Sequence, residues 1–442
     1  MIKVLTILFG KLVLFVGKVF KRGSSLPGSL TYKLNSNIMK YFKLPKTVIA
    51  VTGSSGKGST TKIIANVYRK LGYTVCYNDK GSNERSAVIT TLLDNCTLTG
   101  KVKTLVCVFE IDERYTKYVF PYIKPTHVVI TNVTRDQPPR QRHFDFVFGE
   151  IYKALDKNTT IITNADDPYL QKINKDKKFN VVYYGIDKLK TDYKKNKFNS
   201  LNISRCIYCN SKLNYDYYHI EHLGSYKCSK CDFKIPEKLY KITNYKDYVI
   251  TINDKYNITI NNDVLFNFYN VLAAFTTLAI NKLDLGKVSE IISDMNRDTK
   301  IFNKYKYNDK NVYVLNNKNE NATTFNQSVL YAFNDKSKKT LVIGWWQISR
   351  RYNFDDLSWL YDIDFSLIDN VEKIIVAGPQ RFDIAVRLKY DGFSCKKIKI
   401  YNDLYEAKEE ILSSKDDIYA ILNFDYIKPF NEIMEVRKWQ LL

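Results

Sequence analysis

The sequence is sparse in alanine, glycine and arginine, while lysine, asparagine, isoleucine, tyrosine and phenylalanine are abundant. No block of like charges forms a tail, because lysine is spread through every segment. No stretch repeats at a fixed period, which excludes a solenoid or a propeller. No cysteine sits between glycines where a strand would meet a helix, so the chain lacks a thiol nucleophile elbow. A long unbroken apolar run is missing as well. Val4 to Phe20 comes nearest, but Lys11 and Lys18 interrupt it, seven residues apart and so on one helical face with Arg22 nearby. A spanning helix would place Lys11 near mid-bilayer, which is costly, and no small-residue cleavage site follows. The segment reads as a helix packed on a domain or lying at the membrane interface.

What is there fits a folded, multi-domain chain. Its 442 residues suffice for two or three cores, and 45% hydrophobic with 14% aromatic residues is a globular composition. The formal charge of +22 has two readings: an acidic partner such as nucleic acid, an anionic membrane surface or a phosphorylated substrate, or the lysine-rich bias of a genome. Of eight cysteines, four fall in two CxxC pairs, and Cys76 and Cys107 lie in apolar strand-like runs. That is the usage of a reducing cytoplasm, so the expected location is the cytoplasm, with a peripheral position at the inner face of the membrane as the other option.

From Lys46 to about Tyr184, β-branched runs alternate with helical stretches, the mark of a mostly parallel sheet covered by helices. The runs are Thr47–Val51, Thr74–Tyr77, Thr104–Phe109, His127–Thr131, Thr160–Thr163 and Asn180–Tyr184. A helix is expected over Asn267–Ile280, and a polar linker from Asp298 to Asn311. A second βα alternation follows through Val312–Leu315, Thr340–Ile343, Lys373–Val376, Lys397–Ile400 and Ile418–Leu422. The expected division is an N-terminal amphipathic segment at 1–45, a central domain at 46–298 and a smaller α/β domain at 299–442.

Ile49–Thr61 (IAVTGSSGKGSTT) reads as a buried strand, a glycine-rich turn and a helix start. Gly53 and Gly56 let the backbone N–H groups curl toward an anion, and the helix dipole adds to the attraction. Lys57, contributing charge and little packing, would neutralise the β- and γ-phosphates of ATP, and Ser59 or Thr60 offers a hydroxyl to Mg²⁺. The loop, with Gly58 after the lysine, resembles the G-x-x-G-K-[TG]-[TS] loop of Mur ligases and folylpolyglutamate synthetases.

Cys206-x2-Cys209 and Cys228-x2-Cys231 stand 18 residues apart, a spacing that suits two knuckles joined by a hairpin around tetrahedral Zn²⁺. Four thiolates close the shell, so a metal there is structural. The ribbon would occupy 203–236. His219 and His222 read as surface residues of the hairpin, with spare ligands as the other reading. No basic–aromatic groove pattern supports nucleic-acid binding.

Several segments together resemble the MurT family. They are Ser24–Leu30 (SSLPGSL), Gly81–Asn83 (GSN), Phe109–Glu113 (FEIDE), Thr131–Gln137 (TNVTRDQ), Asn164–Pro168 (NADDP) and Phe268–Ala274 (FYNVLAA). Toward the C-terminus Thr324–Gln327 (TFNQ), Asp356–Phe365 and Arg381–Gly392 join them, and the resemblance spans nearly the whole chain. It implies a Mur ligase-like P-loop domain with an inserted zinc ribbon and a smaller Rossmann-like C-terminal domain. It also implies ATP-dependent amidation of the D-glutamate α-carboxylate of lipid II through an acyl phosphate, with ammonia from a GatD-type glutaminase subunit. Glu110 would help hold Mg²⁺, and Asn267 or Asn270 would contact adenine. Asp356, with Asp355 as the fallback, would complete the partner's Cys–His triad. Each residue has a plainer reading: a solvated acid for Glu110, helix capping or packing for the asparagines, and a cap on the helix through Ser358–Tyr361 for Asp356.

The chain departs from the family at Asp136–His143 (DQPPRQRH), Asn303–Lys306, Asn316–Asn321 and Gln347–Phe354. Two other functions therefore stay open. One is a stand-alone ligase of the Mur or folylpolyglutamate type, to which Gly58–Ser59 after the lysine points. The other is a non-catalytic scaffold.

Overall fold

The computed structural model describes residues 1–20, 24–79, 81–134, 143–176, 178–198, 204–298, 303–317, 321–345 and 357–435. Two helices open the chain, α1 (Ile2–Val19) and α2 (Leu26–Leu34). A first sheet is then built from β1 (Thr47–Thr52), β2 (Val75–Tyr77), β3 (Val106–Glu110), β4 (His127–Ile130), β5 (Thr160–Asn164) and β6 (Asn180–Ile186). Between these strands run α3 (Lys57–Lys70), α4 (Arg85–Asn95), α5 (Thr116–Ile123) and α6 (Phe144–Ala154). A separate hairpin, β7 (Leu213–Ile220) and β8 (Leu223–Cys228), precedes β9 (Tyr240–Lys246), β10 (Val249–Ile252) and β11 (Tyr256–Thr259), which rejoin the sheet.

The order across this sheet is β11-β10-β9-β6-β5-β4-β1-β3-β2, parallel from β2 through β9 and antiparallel beyond. Burial on both faces explains the unbroken apolar strands. In β1, Val48 and Ala50 enter one core, beneath α4, α5 and α6, and Ile49 and Val51 enter the other, beneath α3 and α7 (Leu265–Ile280). The chain leaves β1 toward β2 and β3 on one side and returns to β4 on the other. The carboxyl end of β1 is thus a topological switch point, the usual place for a ligand in a doubly wound sheet.

After α8 (Leu285–Asp298) comes the second sheet, from β12 (Asn303–Tyr307), β13 (Lys310–Asn317), β14 (Lys339–Gly344), β15 (Val371–Ala377), β16 (Ile398–Tyr401) and β17 (Asp417–Asn423). Its order is β12-β13-β17-β14-β15-β16, parallel except for the β12–β13 pair. Helices α9 (Ala322–Asn334), α10 (Arg381–Tyr390), α11 (Lys408–Leu412) and α12 (Phe424–Ile433) accompany it. The expected linker is corrected in part. Asn303–Tyr307 is an antiparallel edge strand, a position that tolerates Lys304 and Lys306 because one side of the ladder stays open.

Cys76 and Cys107 are buried in β2 and β3, as expected. No helix among the described residues is long and apolar enough to cross a membrane.

Candidate functional site

The loop between β1 and α3 is shaped by its glycines. Gly53 has φ +126 and Gly56 φ +78, values that a side chain resists. Gly56 is doubly constrained, because a Cβ there would lie 2.1 Å from Asn270 Oδ1. The opposite wall comes from the segment after β4. Asn132 accepts from the Ser55 N–H at 2.9 Å and donates to Ser55 O at 3.1 Å, while Thr131 Oγ1 donates to Ser55 O at 2.6 Å. Thr134 N–H donates to Ser54 Oγ at 2.8 Å. The loop is therefore held from outside by the segment after β4.

Lys57 is buried, donating to Gly53 O and forming an ion pair with Glu113 at 3.1 Å. Burial opposes its charge, but Glu113, Asp112 and Glu110 outweigh it and hold the ammonium above its ordinary pKa. Glu113 responds the other way: burial pushes its carboxyl up, and Lys57 only partly counters this. Glu110 leaves the end of β3 with its backbone fixed by Asn78, and Asn83 donates to its Oε1 at 3.0 Å. Its carboxylate lies over the first turn of α3, where a Cβ on Gly58 would meet Oε2 at 3.0 Å. Thr60 is fully buried with its hydroxyl unpartnered, whereas Ser59 is exposed. A buried cation and a carboxylate stand at the glycine-rich turn and helix start, with an unpaired hydroxyl in the first turn of that helix. That donor set suits polyphosphate with a hard divalent ion.

A second cluster lies in the β7–β8 hairpin. The four sulfurs of Cys206, Cys209, Cys228 and Cys231 lie within 4.8 Å of one another. Each CxxC closes as a knuckle, with Tyr208 N–H on Cys206 Sγ at 3.4 Å and Lys230 N–H on Cys228 Sγ at 3.3 Å. The pairs Cys206–Cys231 and Cys209–Cys228 are 3.6 and 3.4 Å apart. Zinc–sulfur bonds of ~2.3 Å at tetrahedral angles separate sulfurs by roughly 3.8 Å, so the arrangement fits that ion.

Residues 51–278 match a family model described as the Mur ligase middle domain, and residues 317–426 match one described as MurT ligase C-terminal. The chain belongs to the MurT family. The lipid II isoglutaminyl synthase (glutamine-hydrolyzing) subunit MurT of Staphylococcus aureus (strain COL) is 28% identical over 423 residues, covering 94% of this chain and 93% of that one. The subunit of the same name from Streptococcus pneumoniae (strain ATCC BAA-255 / R6) is 27% identical over 452 residues, 98% and 97% of the two chains. Among solved structures, a pseudomurein peptide ligase type C from Methanothermus fervidus has TM-score 0.66 at 22% identity, over 90% of this chain and 80% of that one. A MurF ligase from Thermotoga maritima in complex with ADP has TM-score 0.56 at 15% identity, over 92% and 84%. These structures share the Mur ligase-like α/β fold.

Of the residues that the MurT resemblance singles out, Gly53, Gly56, Lys57, Gly58, Ser59, Thr60, Glu110 and Asn270 converge at the loop. Asn267 shares the Asn270 face of α7 one turn earlier, but bonds locally to Asn261 and Asn262, each at 3.4 Å. Asp355 and Asp356 lie outside the described residues, as do Asp136–Arg142 and Gln347–Phe354.

The two histidines depart from expectation: neither is on the hairpin surface or near the thiols. His219 Nδ1 lies 2.7 Å from Asp192, and His222 Nε2 lies 3.5 Å from Asp167, all four side chains being buried. Burial works against a charged His222, yet Asp167 and Glu221 outweigh it and raise its pKa. The NADDP motif thus anchors the ribbon's root. Asp166 pairs with Lys238 at 2.9 Å and accepts from Tyr269 of α7 at 2.9 Å.

Sequence reasoning also gave no role to Glu113, to Asn132 or to two residues of α9 that bond across to the first part of the chain. Asn326 of α9 donates to the buried Glu221 at the hairpin turn at 2.7 Å. With its amide oriented to satisfy its neighbours, Gln327 accepts from Leu265 and Phe266 N–H at 3.0 and 3.1 Å, capping α7. Both lie in the TFNQ match, the one signal that could have found them.

Proposed function

We propose that this chain is the ATP-using synthase subunit of a glutamine-dependent amidotransferase that converts the D-glutamate α-carboxylate of lipid II to D-isoglutamine. One observation carries the reading. A preformed phosphate loop and a MurT-type C-terminal part stand on one chain, aligned over nearly its full length with two subunits named for that activity. In this reading the domains divide at 1–45, 46–298 and 299–442, with the ribbon at 203–236.

The N–H groups at the start of α3, from Gly56 to Ser59, would cradle the phosphates of ATP. Lys57 would leave Glu113 to meet the charge on the transferring phosphoryl group. Glu110, with Ser59 or Thr60, would hold magnesium, which when bound draws charge from the terminal phosphates. Asn267 or Asn270, in the first two turns of α7, would contact the adenine. Phosphorylation of the carboxylate leaves an acyl phosphate, and ammonia attacks its carbonyl to form the amide with loss of phosphate. The likeness to MurT subunits points to a GatD-type glutaminase as the ammonia source, whose Cys–His pair Asp356 would complete. The test is amidation of lipid II from ATP and ammonium by the purified chain with its glutaminase. Mass analysis should find the amide, and ATP hydrolysis without amide under both nitrogen sources would overturn the reading.

The four thiols would hold one Zn²⁺ in a closed shell, locking the ribbon against the buried root that carries Glu221. Metal analysis should find one zinc per chain. Cys206→Ser with Cys209→Ser should remove it and lower the melting temperature, because the Glu221–Asn326 contact loses its support. Metal-free protein purified under reducing conditions would rule the ribbon site out.

A further inference from the structure

An ordinary surface helix turns its polar side to water, but α1 turns an apolar one. The side against the domain is mixed, burying Ile7 and Leu14 together with Thr6, Gly10 and Gly17. A Cβ on Gly10 would lie 2.7 Å from both Leu93 and Thr31, so glycine is what permits this close approach. Lys11 donates to Leu93 O at 2.5 Å and Lys18 pairs with Asp94 at 2.7 Å, which spends both charges on the protein side. The outward side is apolar along its length: Leu5, Leu8, Leu12, Phe15, Val19 and Phe20 are all exposed, with Leu12, Phe15 and Val19 at 61%, 67% and 66%. The neighbouring α2 adds an exposed row at helical spacing, Leu26, Leu30 and Leu34.

Such a face needs a non-aqueous cover. The charge of the segment chooses among the candidates. Besides Lys11 and Lys18, residues 1–43 contain six lysines and arginines, and no aspartate or glutamate occurs before Asp79. A net-positive segment that carries an apolar row matches an anionic bilayer surface. The 18 residues of α1 extend ~27 Å, but no described helix is long and apolar enough to cross, so the helix would lie flat.

We infer that α1 is a membrane-docking helix, its outward row buried at the acyl boundary of a bilayer containing anionic lipid. The inference rests on the helix's own exposure and charge, and goes beyond the proposed reaction.

The test is flotation of the full-length chain with vesicles of phosphatidylcholine alone or mixed with phosphatidylglycerol, neither containing lipid II. The wild type should float with the mixed vesicles and less with the neutral ones. Leu12→Ser/Phe15→Ser/Val19→Ser should partition at least ~tenfold more weakly, since only exposed apolar area is lost, while its melting temperature stays unchanged. Wild type that fails to float, or a triple variant that floats equally well, would overturn the inference. A lipid-free dimer that the triple variant converts to monomer would assign the face to a second copy and overturn it as well. Because amide synthesis is not measured, failure of the proposed reaction leaves this result standing.

Discussion

Lys57→Ala should lose ATP turnover by on the order of a hundredfold or more, measured as phosphate release by the assembled enzyme. The lysine does more for the fold than a loop cation was expected to do. It is buried, and its removal takes away the cation that pairs with the Glu113 carboxylate, only 12% exposed. Stranding a buried charge costs roughly 3–5 kcal/mol unless the group neutralises. Burial already holds the Glu113 carboxyl above the usual glutamate pKa, and loss of Lys57 removes a group that lowers it, so in the variant it will titrate higher still. The folded state then binds more protons than the unfolded one, and the variant should lose stability as pH rises past the ordinary glutamate range. Lys57→Ala/Glu113→Gln removes that penalty and its pH dependence. It should melt near the wild type while staying inactive, which separates phosphate binding from folding. Turnover at the normal rate in either variant would end the assignment of this loop to ATP.

Where the sequence was readable, the physics was local. A glycine-rich turn between a buried strand and a helix needs Gly53 and Gly56 at positive φ whatever surrounds them, and paired CxxC knuckles need only a hairpin. The strand runs were legible because burial on both faces leaves unbroken β-branched stretches, as in β1 and β14. What could not be read depends on contacts distant in sequence. His219 and His222 have the polarity of surface residues, and only the return of Asp166, Asp167 and Asp192 beneath the hairpin makes them interior. The Asn303–Tyr307 strand carries two lysines and an asparagine, which read as a linker until an edge position explains them. Periodicity placed a helix near Val4–Phe20, but not which of its faces meets the protein.

These long-range contacts bear on how two half-reactions stay connected. Gln327 caps the helix whose Asn270 closes on Gly56, and Asn321 at the start of α9 lies 3.4 Å from Thr134, whose N–H meets Ser54 in the loop. One helix of the C-terminal part thus touches both walls of the phosphate loop.

Asp356→Asn should separate those half-reactions. If Asp356 orients the partner's histidine, its carboxylate stabilises the imidazolium formed as the cysteine attacks glutamine, the role of a third triad member. Asparagine keeps the shape and removes the charge. Glutamine-driven amidation by the complex should then fall on the order of a hundredfold or more. The substitution should leave the fold alone, since the segment that follows is fixed independently by Trp359 and Leu360, both buried in the core of the second sheet. Synthesis from free ammonium should survive, because Lys57 and Glu110 belong to the first sheet and its loop. The assay compares amide formed from the two nitrogen sources at matched ATP. Equal loss with both would place Asp356 at the ligase site or in the fold. No loss with either would move the triad role to Asp355 or out of this chain.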